Sequence, residues 1–379
     1  MFTSFIFKLT GFCNLDCSYC YMFNSEDRTF ERKPRYMSPE VATAALRSVG
    51  DYLAAQPEGA AAAVVLHGGE PSIWPAASFA AFCEELARQR ARGLEIECGM
   101  QTNGLKLPSR STLDLFVRHE IGLGFSLDGP KALNDRFRYD FAGRGSYDRI
   151  IRNVNRLLAQ GYERIVGGFL CVMQPDIPPD DFLDWLAGLP VTRVDLLWPL
   201  EFNRDHPPWQ GSDPAAYAAA PRYGAWLSDL FEAWWRRDDP DLYVRLFRYA
   251  VEARLGGMAE TDSLGPRAFD SLVINTDGAV ELTDYFRTAV DGGTWTGRSV
   301  LTDSLGDIEA DERIRTLASA AQAPGACEAC DHRGICAGGT LSGRLNGRGE
   351  VTREPSVLCA DHMRFFDTLA ARVDAALAA

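Results

Sequence analysis

The chain has 379 residues, more than one ordinary hydrophobic core accommodates, so we expect one large domain and a smaller one. Hydrophobic residues make up 46% of the chain and charged residues 24%, and no apolar run is long enough to span a bilayer. The formal net charge of −13 argues against a nucleic-acid partner, because such a partner favours a basic face. No secretory signal follows Met1, which predicts a cytoplasmic protein.

Residues 1–200 alternate between strand and helix patterns. The predicted strands are Phe5–Leu9, Ala63–Leu66, Leu94–Cys98, Ile121–Ser126, Ile165–Val172 and Val194–Leu197. The predicted helices lie near 38–55, 77–92, 110–119, 147–159 and 179–187, and the first opens with Ser38 as N-cap and Pro39 at the first helical position. Six strands that alternate with helices predict an α/β fold with a parallel sheet, a partial (β/α)6 TIM-like barrel.

The rest of the chain changes character twice. Residues 201–262 form a helical, aromatic-rich segment whose apolar side chains recur at helical spacing, either as a stripe facing the core or as an aromatic wall beside a peptide cleft. In residues 263–379, Leu272–Asn275 and Ala279–Leu282 predict a β-hairpin, and Arg364 to Ala378 predicts a closing helix. We therefore expect three parts, residues 1–200, 201–262 and 263–379.

Ten cysteines are distributed unlike a disulfide framework. Seven of them form two clusters along the chain, which is typical of metal ligands in a reducing cytoplasm. The other three lie in apolar segments, where we expect them to pack in the core: Cys83, Cys98 and Cys171.

The first cluster has the spacing Cys13-x3-Cys17-x2-Cys20, with Tyr19 before the last cysteine. Three thiolates can hold three irons of a cubane iron–sulfur cluster and leave the fourth iron open. A zinc knuckle or chance thiols are the alternatives, although zinc prefers four closed ligands and no fourth Cys or His lies nearby. The loop resembles that of the radical S-adenosylmethionine (radical SAM) enzymes, whose open iron chelates SAM. The resemblance implies a [4Fe–4S] cluster on these cysteines, with Tyr19 beside the cofactor.

Gly68-Gly69-Glu70-Pro71 follows the second predicted strand and resembles the family's Gly-Gly-Glu-Pro motif. The resemblance implies that the backbone of Gly68 and Gly69 and the Glu70 carboxylate bind the α-ammonium of SAM, since two glycines permit a close approach. Alone, the tetrapeptide could be a simple turn at a strand end.

The third and fourth predicted strands end in further family-like residues. Gln101 and Asn103 resemble residues that line the SAM or substrate side of the barrel rim, where α/β barrels form their active sites. By the same resemblance Ser126 contacts the sugar or carboxylate of SAM, and Arg138 pairs with its carboxylate through two parallel hydrogen bonds. Arg138 could instead be a solvated loop residue, and Asp128 is either a cofactor contact or the cap of a turn.

The second cysteine cluster has the spacing Cys327-x2-Cys330-x5-Cys336, followed by Cys359. A zinc ribbon could use four such thiolates. Beside a radical SAM motif, the spacing resembles the SPASM extension, which in full holds two auxiliary clusters. Two further cysteines of its pattern fall on Thr283 and Thr340, and these substitutions remove ligands of the inner cluster and leave all four of the outer one. The resemblance implies two [4Fe–4S] clusters in total, one that binds SAM and one auxiliary.

Asp284 follows Thr283 directly. In SPASM sulfatase-maturing enzymes, the Asp after the corresponding Cys is the proposed general base, so the resemblance makes Asp284 a candidate catalytic residue. At a hairpin end, Asp284 could equally be a turn residue.

The stretches Cys336–Gly339 and Pro355–Asp361 resemble a SPASM subgroup that modifies ribosomally made peptides and forms cyclophanes. This implies a radical SAM oxidoreductase that joins an aromatic ring to a β-carbon within a precursor peptide. The alternatives are a sulfatase-maturing dehydrogenase that converts Cys or Ser to formylglycine, and a non-catalytic iron–sulfur or zinc protein.

The implied partners follow from this chemistry. A radical SAM peptide maturase needs the precursor peptide and an electron donor such as flavodoxin or ferredoxin. Because only twelve residues precede Cys13, we expect the peptide leader to bind this chain's own surface or a separate leader-binding protein. No nucleic acid and no membrane is expected.

Overall fold

The structure is a computed structural model that describes residues 1–257, 261, 264 and 269–379. These residues form two compact units. The first contains Met1–Leu127, Asn134–Gly168 and Phe269–Thr316, and the second contains Asp128–Leu133, the described residues of Phe169–Ala268, and Leu317–Ala379. The predicted boundary between residues 262 and 263 lies outside the described residues, and the predicted division into three parts stays a prediction.

The strands follow the predicted order. They are β1 (Ser4–Thr10), β2 (Ala61–Gly68), β3 (Glu95–Thr102), β4 (Ile121–Ser126), β5 (Val166–Val172), β6 (Arg193–Leu197), β7 (Tyr243–Val244), β8 (Ser271–Ile274), β9 (Ala279–Glu281) and β10 (Trp295–Ser299). All six predicted strands of residues 1–200 are confirmed, although β3 runs on to Thr102 and therefore contains Gln101. The predicted hairpin is confirmed as the antiparallel pair of β8 and β9.

The helices of the described residues are α1 (Pro39–Ala54), α2 (Ala76–Ala91), α3 (Arg110–Arg118), α4 (Lys131–Phe137), α5 (Tyr147–Ala159), α6 (Pro179–Ala187), α7 (Pro214–Ala219), α8 (Arg222–Arg237), α9 (Arg245–Arg254), α10 (Leu305–Ala310), α11 (Glu312–Ala321), α12 (Arg333–Cys336) and α13 (Cys359–Leu377). The five helices predicted before residue 200 are confirmed. Ser38 caps α1 as predicted, because its side chain accepts a hydrogen bond from Val41 N at 3.3 Å. No helix of the described residues has the length and apolar composition needed to cross a membrane.

In the first unit the strand order is β10-β9-β8-β1-β2-β3-β4, in which β8 and β1 to β4 are parallel neighbours. The fold is thus the mixed α/β fold with a parallel sheet that the sequence predicts, of the TIM-like partial-barrel type. In β1, Phe5, Phe7 and Leu9 point to one face, while Lys8 and Thr10 point to the other and are also fully buried. The register pairs Lys8 with His67 and Gln101 with Gly124, so the carboxyl ends of the strands lie at one edge.

In the second unit, β5, β6 and β7 are parallel neighbours, and three helices pack around aromatic side chains. Phe231 of α8 lies 5.3 Å from Phe247 of α9 and 6.0 Å from Phe365 of α13, measured between ring centroids. The core-facing interpretation of the aromatic stripe is confirmed at the residues of α8 that are buried: Trp226, Leu227, Leu230 and Phe231.

Three elements differ from the prediction for local reasons. Asn134 is the buried residue of α4, so this helix has no apolar period to detect. Helix α13 begins at Cys359 and not at Arg364. Its first turn buries the polar side chains of Asp361 and His362, so no apolar period marks this turn in the sequence. The three isolated cysteines are buried in the core, as predicted: Cys83, Cys98 and Cys171.

Candidate functional site

The three-cysteine loop follows β1 directly and is held by backbone hydrogen bonds. Within the loop, Cys20 N donates to Cys17 O at 3.0 Å. Asp16 N donates to Tyr139 O at 2.8 Å, and Ser18 N donates to Phe137 O at 3.1 Å, which fixes the loop against the last residue of α4 and the segment after it. Burial raises the pKa of the Cys13 thiol to about 12, and the Glu70 carboxylate and then the Cys17 and Cys20 thiols add to the rise.

The two glycines after β2 allow the cysteine loop to approach this strand. A Cβ on Gly69 would lie 2.0 Å from Phe12 O, and one on Gly68 would lie 2.6 Å from Thr10 O. Gly68 also has a φ of +140°, which residues other than glycine rarely adopt. Any larger residue at either position would therefore displace the chain that leads into the cysteine loop.

Glu70 is fully buried, and its carboxylate receives three hydrogen bonds. Ser72 N and Thr102 Oγ1 donate to Oε1 at 2.8 and 2.6 Å, and Asn103 N donates to Oε2 at 2.7 Å. Burial raises the pKa of Glu70, and these donors oppose the rise. The carboxylate thus joins the end of β2 to the end of β3. A contact with the ammonium group of SAM stays a prediction.

Gln101, Asn103 and Ser126 lie at the adjoining strand ends. Gln101 Nε2 donates to Ser126 Oγ at 2.8 Å, and the Gln101 side chain crosses Gly124, where a Cβ would lie 2.3 Å from its Oε1. Asn103 donates to Asn14 Oδ1 at 2.7 Å. The structure therefore brings these three predicted residues to the edge that carries the cysteine loop.

Arg138 is buried, so its interpretation as a solvated loop residue is wrong. Its Nη1 donates to Tyr19 Oη at 2.9 Å, and this contact brings the predicted carboxylate-binding Arg beside the aromatic residue of the cysteine loop. Asp128 belongs to the second unit, where its Oδ1 accepts a hydrogen bond from Val172 N at 3.0 Å. The structure thus shows a backbone contact for Asp128, and its cofactor role stays a prediction.

Asp284 lies in a buried network of charges that the sequence analysis missed. Its Oδ2 lies 2.6 Å from Lys8 Nζ, and its Oδ1 lies 2.8 Å from Arg287 Nε. Arg287 also forms ion pairs with Asp27 and Glu281. Burial alone would raise the pKa of Asp284, but Lys8 and then Arg287 hold it well below its ordinary value, so the carboxylate is ionised. The sequence signal for this network was Lys8, because a charged residue within the apolar run of β1 needs a buried partner.

The four C-terminal cysteines line one cavity in the second unit. They are Cys327, Cys330, Cys336 and Cys359. Burial raises the pKa of Cys336 to about 12, and the three other thiols contribute to the rise. Cys359 is the first residue of α13, where the helix N-terminus favours a thiolate, but burial raises the pKa of this thiol.

The glycines after Cys336 are required by close packing. A Cβ on Gly338 would lie 2.5 Å from Pro324 Cδ, and one on Gly339 would lie 2.5 Å from His362 Cε1. Both glycines have a positive φ. The Gly-Gly stretch thus shapes the wall of the cysteine cavity.

The donor sets fit iron–sulfur clusters. A cubane cluster is held by cysteine thiolates. The first set offers three thiols in one loop, and the second offers four around one cavity. Thr283 and Thr340 are both buried and add no thiolate to either set.

Comparison with known proteins agrees with this geometry. Residues 7–187 match the radical SAM superfamily. The chain is 22% identical over 376 residues to a serine-type anaerobic sulfatase-maturating enzyme of Bacteroides thetaiotaomicron, a match that spans 96% of this chain and 88% of the relative.

Two solved structures share the fold. Native anSMEcpe with bound AdoMet and Cp18Cys peptide has a TM-score of 0.79 at 19% identity, with 99% of this chain and 98% of that chain covered. Streptococcus suis SuiB bound to precursor peptide SuiA has a TM-score of 0.59 at 16% identity, with 95% and 76% covered. The range matched by the family contains the three-cysteine loop and the motifs at the strand ends, so residues 7–187 form a radical SAM domain, whose cofactors are S-adenosylmethionine and a [4Fe–4S] cluster.

Proposed function

We propose that this enzyme modifies a ribosomally made precursor peptide by joining an aromatic ring to a β-carbon of the same peptide. The observation that carries the proposal is the set of cysteines. Four thiols line the C-terminal cavity, whereas Thr283 and Thr340 replace cysteines of the inner auxiliary cluster. This set supports one auxiliary cluster, and the glycine-rich stretch after Cys336 resembles cyclophane-forming maturases.

A peptide substrate is supported by the relatives with which the chain shares its fold. One solved structure contains anSMEcpe with a Cp18Cys peptide, and another contains SuiB with its precursor peptide. We extend this substrate class to the present chain. An electron donor such as flavodoxin or ferredoxin and a leader-binding protein are proposed partners on the same grounds.

The cofactors supply the one-electron chemistry that removes a hydrogen atom from an unactivated carbon. Within the proposal, the side chains at the edge of the sheet bind and orient SAM. Arg138 is the proposed partner of the SAM carboxylate, and its Nη1 donates a hydrogen bond to Tyr19 Oη at 2.9 Å. Ser126 is proposed to contact the sugar or carboxylate of SAM, and Gln101, which donates a hydrogen bond to Ser126, is proposed to line the SAM or substrate side of the rim.

Formation of the crosslink removes two hydrogens from the peptide. The β-carbon loses a hydrogen atom, and the ring loses one proton and one electron when its aromaticity returns. We assign the proton to Asp284, which Lys8 and Arg287 keep ionised. A low pKa is sufficient for this role, because a ring that has bonded to carbon and lost an electron is a strong acid. The electron needs an iron–sulfur acceptor, and the four cysteines of the C-terminal cavity would hold it.

The alternative is a dehydrogenase of the sulfatase-maturing kind. It is favoured by the match to the serine-type anaerobic sulfatase-maturating enzyme and by the likeness to anSMEcpe. The loss of two cysteines of the inner auxiliary cluster argues against it.

Co-expression with a candidate precursor peptide followed by mass spectrometry tests the proposal. Each crosslink lowers the peptide mass by two hydrogen atoms, but so does oxidation of Ser to formylglycine. The product must therefore also be treated with a hydrazine. A peptide that does not react, and that gives no fragment ions between the two joined residues, supports the crosslink. A hydrazone product would establish the alternative.

A further inference from the structure

We infer that Asn103 is a positioning residue for the first cluster, because its side-chain amide donates a hydrogen bond to the sulfur of Cys13. Asn103 Nδ2 lies 3.4 Å from Cys13 Sγ. This role differs from the contact with SAM or substrate that the sequence resemblance implies. It is also independent of the peptide product, since it concerns the SAM-binding cluster alone.

The orientation of the Asn103 amide is fixed by its other contacts. Leu105 N can only donate, and it lies 3.0 Å from Oδ1, so Oδ1 is the acceptor. The NH2 group therefore faces the cysteine loop, where it meets Asn14 Oδ1 at 2.7 Å and Cys13 Sγ at 3.4 Å. Its two hydrogens match these two acceptors. Both polar ends of the amide thus have partners within the protein.

The backbone of Asn103 is held in place by Glu70. Asn103 N donates to the buried carboxylate at 2.7 Å, and Glu70 N in turn donates to Phe12 O at 3.0 Å. These contacts connect β2, β3 and the residue before Cys13 in one buried series. Asn103 is 6% exposed, so its amide cannot rotate freely away from the sulfur.

A hydrogen bond to a cysteine sulfur stabilises the more negative state of an iron–sulfur cluster and raises its reduction potential. Cys13 receives a second such bond from Leu15 N at 3.4 Å. The Leu15 bond is made by the backbone, and the Asn103 bond is the one that a substitution can remove. The hydrogen bond from Asn103 therefore raises the reduction potential of the first cluster.

The test compares Asn103→Ala with Asn153→Ala. Asn153 Nδ2 donates to Gly104 O at 2.8 Å and to Leu105 O at 3.1 Å, so the control loosens the same turn without removing a donor from Cys13. The midpoint potential of the first cluster is measured in the full enzyme by redox titration followed by EPR. The signal that changes when SAM is added identifies this cluster.

We expect Asn103→Ala to lower the electron affinity of the first cluster about tenfold, a shift of about 59 mV to more negative potential. We expect Asn153→Ala to leave the potential unchanged. Equal potentials in the wild type and Asn103→Ala, or equal shifts in both variants, would overturn the inference.

A second measurement uses the unsubstituted protein, so it can contradict the inference even if Asn103→Ala does not assemble the cluster. Protein labelled with asparagine carrying ¹⁵N in its side-chain amide is reduced and studied by pulsed EPR. A ¹⁵N coupling to the first cluster is expected because Nδ2 and Sγ share a hydrogen. No ¹⁵N coupling in the labelled wild type would contradict the proposed bond.

Discussion

Replacing Glu70 by Gln separates its structural role from a direct contact with SAM. Gln keeps the shape of the side chain, but one carboxylate oxygen becomes an NH2 group. If the remaining oxygen faces Ser72 N and Thr102 Oγ1, the new NH2 group faces Asn103 N, and two donors then oppose each other.

The expected cost follows from these contacts. Loss of a hydrogen bond to a charged acceptor costs about 1.5–3 kcal/mol, and a buried donor left unsatisfied costs about 1–3 kcal/mol. Removing the buried negative charge offsets part of this sum. We therefore expect Glu70→Gln to lower the free energy of unfolding by about 3 kcal/mol, and to weaken SAM binding because Asn103 and the cysteine loop shift with it.

The assay is urea unfolding of the cluster-free protein under reducing, anaerobic conditions, together with SAM affinity measured on the reconstituted enzyme. Glu85→Gln is the matched control. Glu85 is also a buried carboxylate, and it receives hydrogen bonds from Arg88 and Gln89 at 2.6 Å within α2. It should destabilise the fold and leave SAM affinity unchanged. A free energy of unfolding for Glu70→Gln within about 0.5 kcal/mol of wild type would refute the structural role.

Further predictions concern the clusters and the charged residues. Anaerobic reconstitution should give about eight irons per chain, and substitution of all three cysteines of the Cys13–Cys20 loop by Ala should leave about four and abolish SAM cleavage; about four irons and one zinc in the unmutated protein would contradict the auxiliary cluster. Arg138→Ala should weaken SAM binding about ten- to hundred-fold at unchanged iron content, since a charge-assisted contact is lost; equal affinity in a binding titration would remove Arg138 from the site. Asp284→Asn should still cleave SAM, as measured by release of 5′-deoxyadenosine, but should slow crosslinking about a hundred-fold or more; crosslinking at the wild-type rate would mean another proton acceptor. Because Lys8 and Arg287 lower the pKa of Asp284 in the folded state, its contribution to stability is present above the unfolded pKa of about 4 and is lost as the pH falls towards the folded value. The stability difference between wild type and Asp284→Asn in urea unfolding should thus be constant at neutral pH and shrink on acidification, whereas a difference that grew in acid would contradict the ion pairs.

Much of the fold could be predicted because its signals are local. The period of the apolar residues predicted β1 to β6 and the helices between them except α4. The start of α1 was predicted from Ser38 as N-cap and Pro39 as the first helical residue. Helix α4 could not be found in this way, since its buried residue is the polar Asn134 and it has no apolar period. The short strands β7 and β10 depend on pairing with a neighbour and carry no period of their own.

In the candidate site, too, the local signals could be predicted and the long-range contacts could not. The cysteine spacings and the motifs at the strand ends were visible in the sequence, but their partners were not. The bond between Asn103 and Cys13 joins residues 90 positions apart, and the ion pair of Lys8 with Asp284 joins residues 276 positions apart. Such contacts depend on how strands lie side by side, which a single sequence does not specify. Glu70 is the clearest case, because its motif indicated a ligand contact and its geometry shows a structural link.

The ion pair between Asp27 and Arg287 has a consequence for how the enzyme is made. Asp27 follows the cysteine loop by seven residues, yet its buried partner emerges from the ribosome 260 residues later. Strand β1, which leads into the loop, likewise pairs with β8 at Ser4 and Ser271. During synthesis the cysteine loop is therefore exposed long before its surroundings can close. We expect stable cluster insertion to follow release of the chain beyond Arg287, so that delivery of iron and sulfur is a late event in the maturation of this protein.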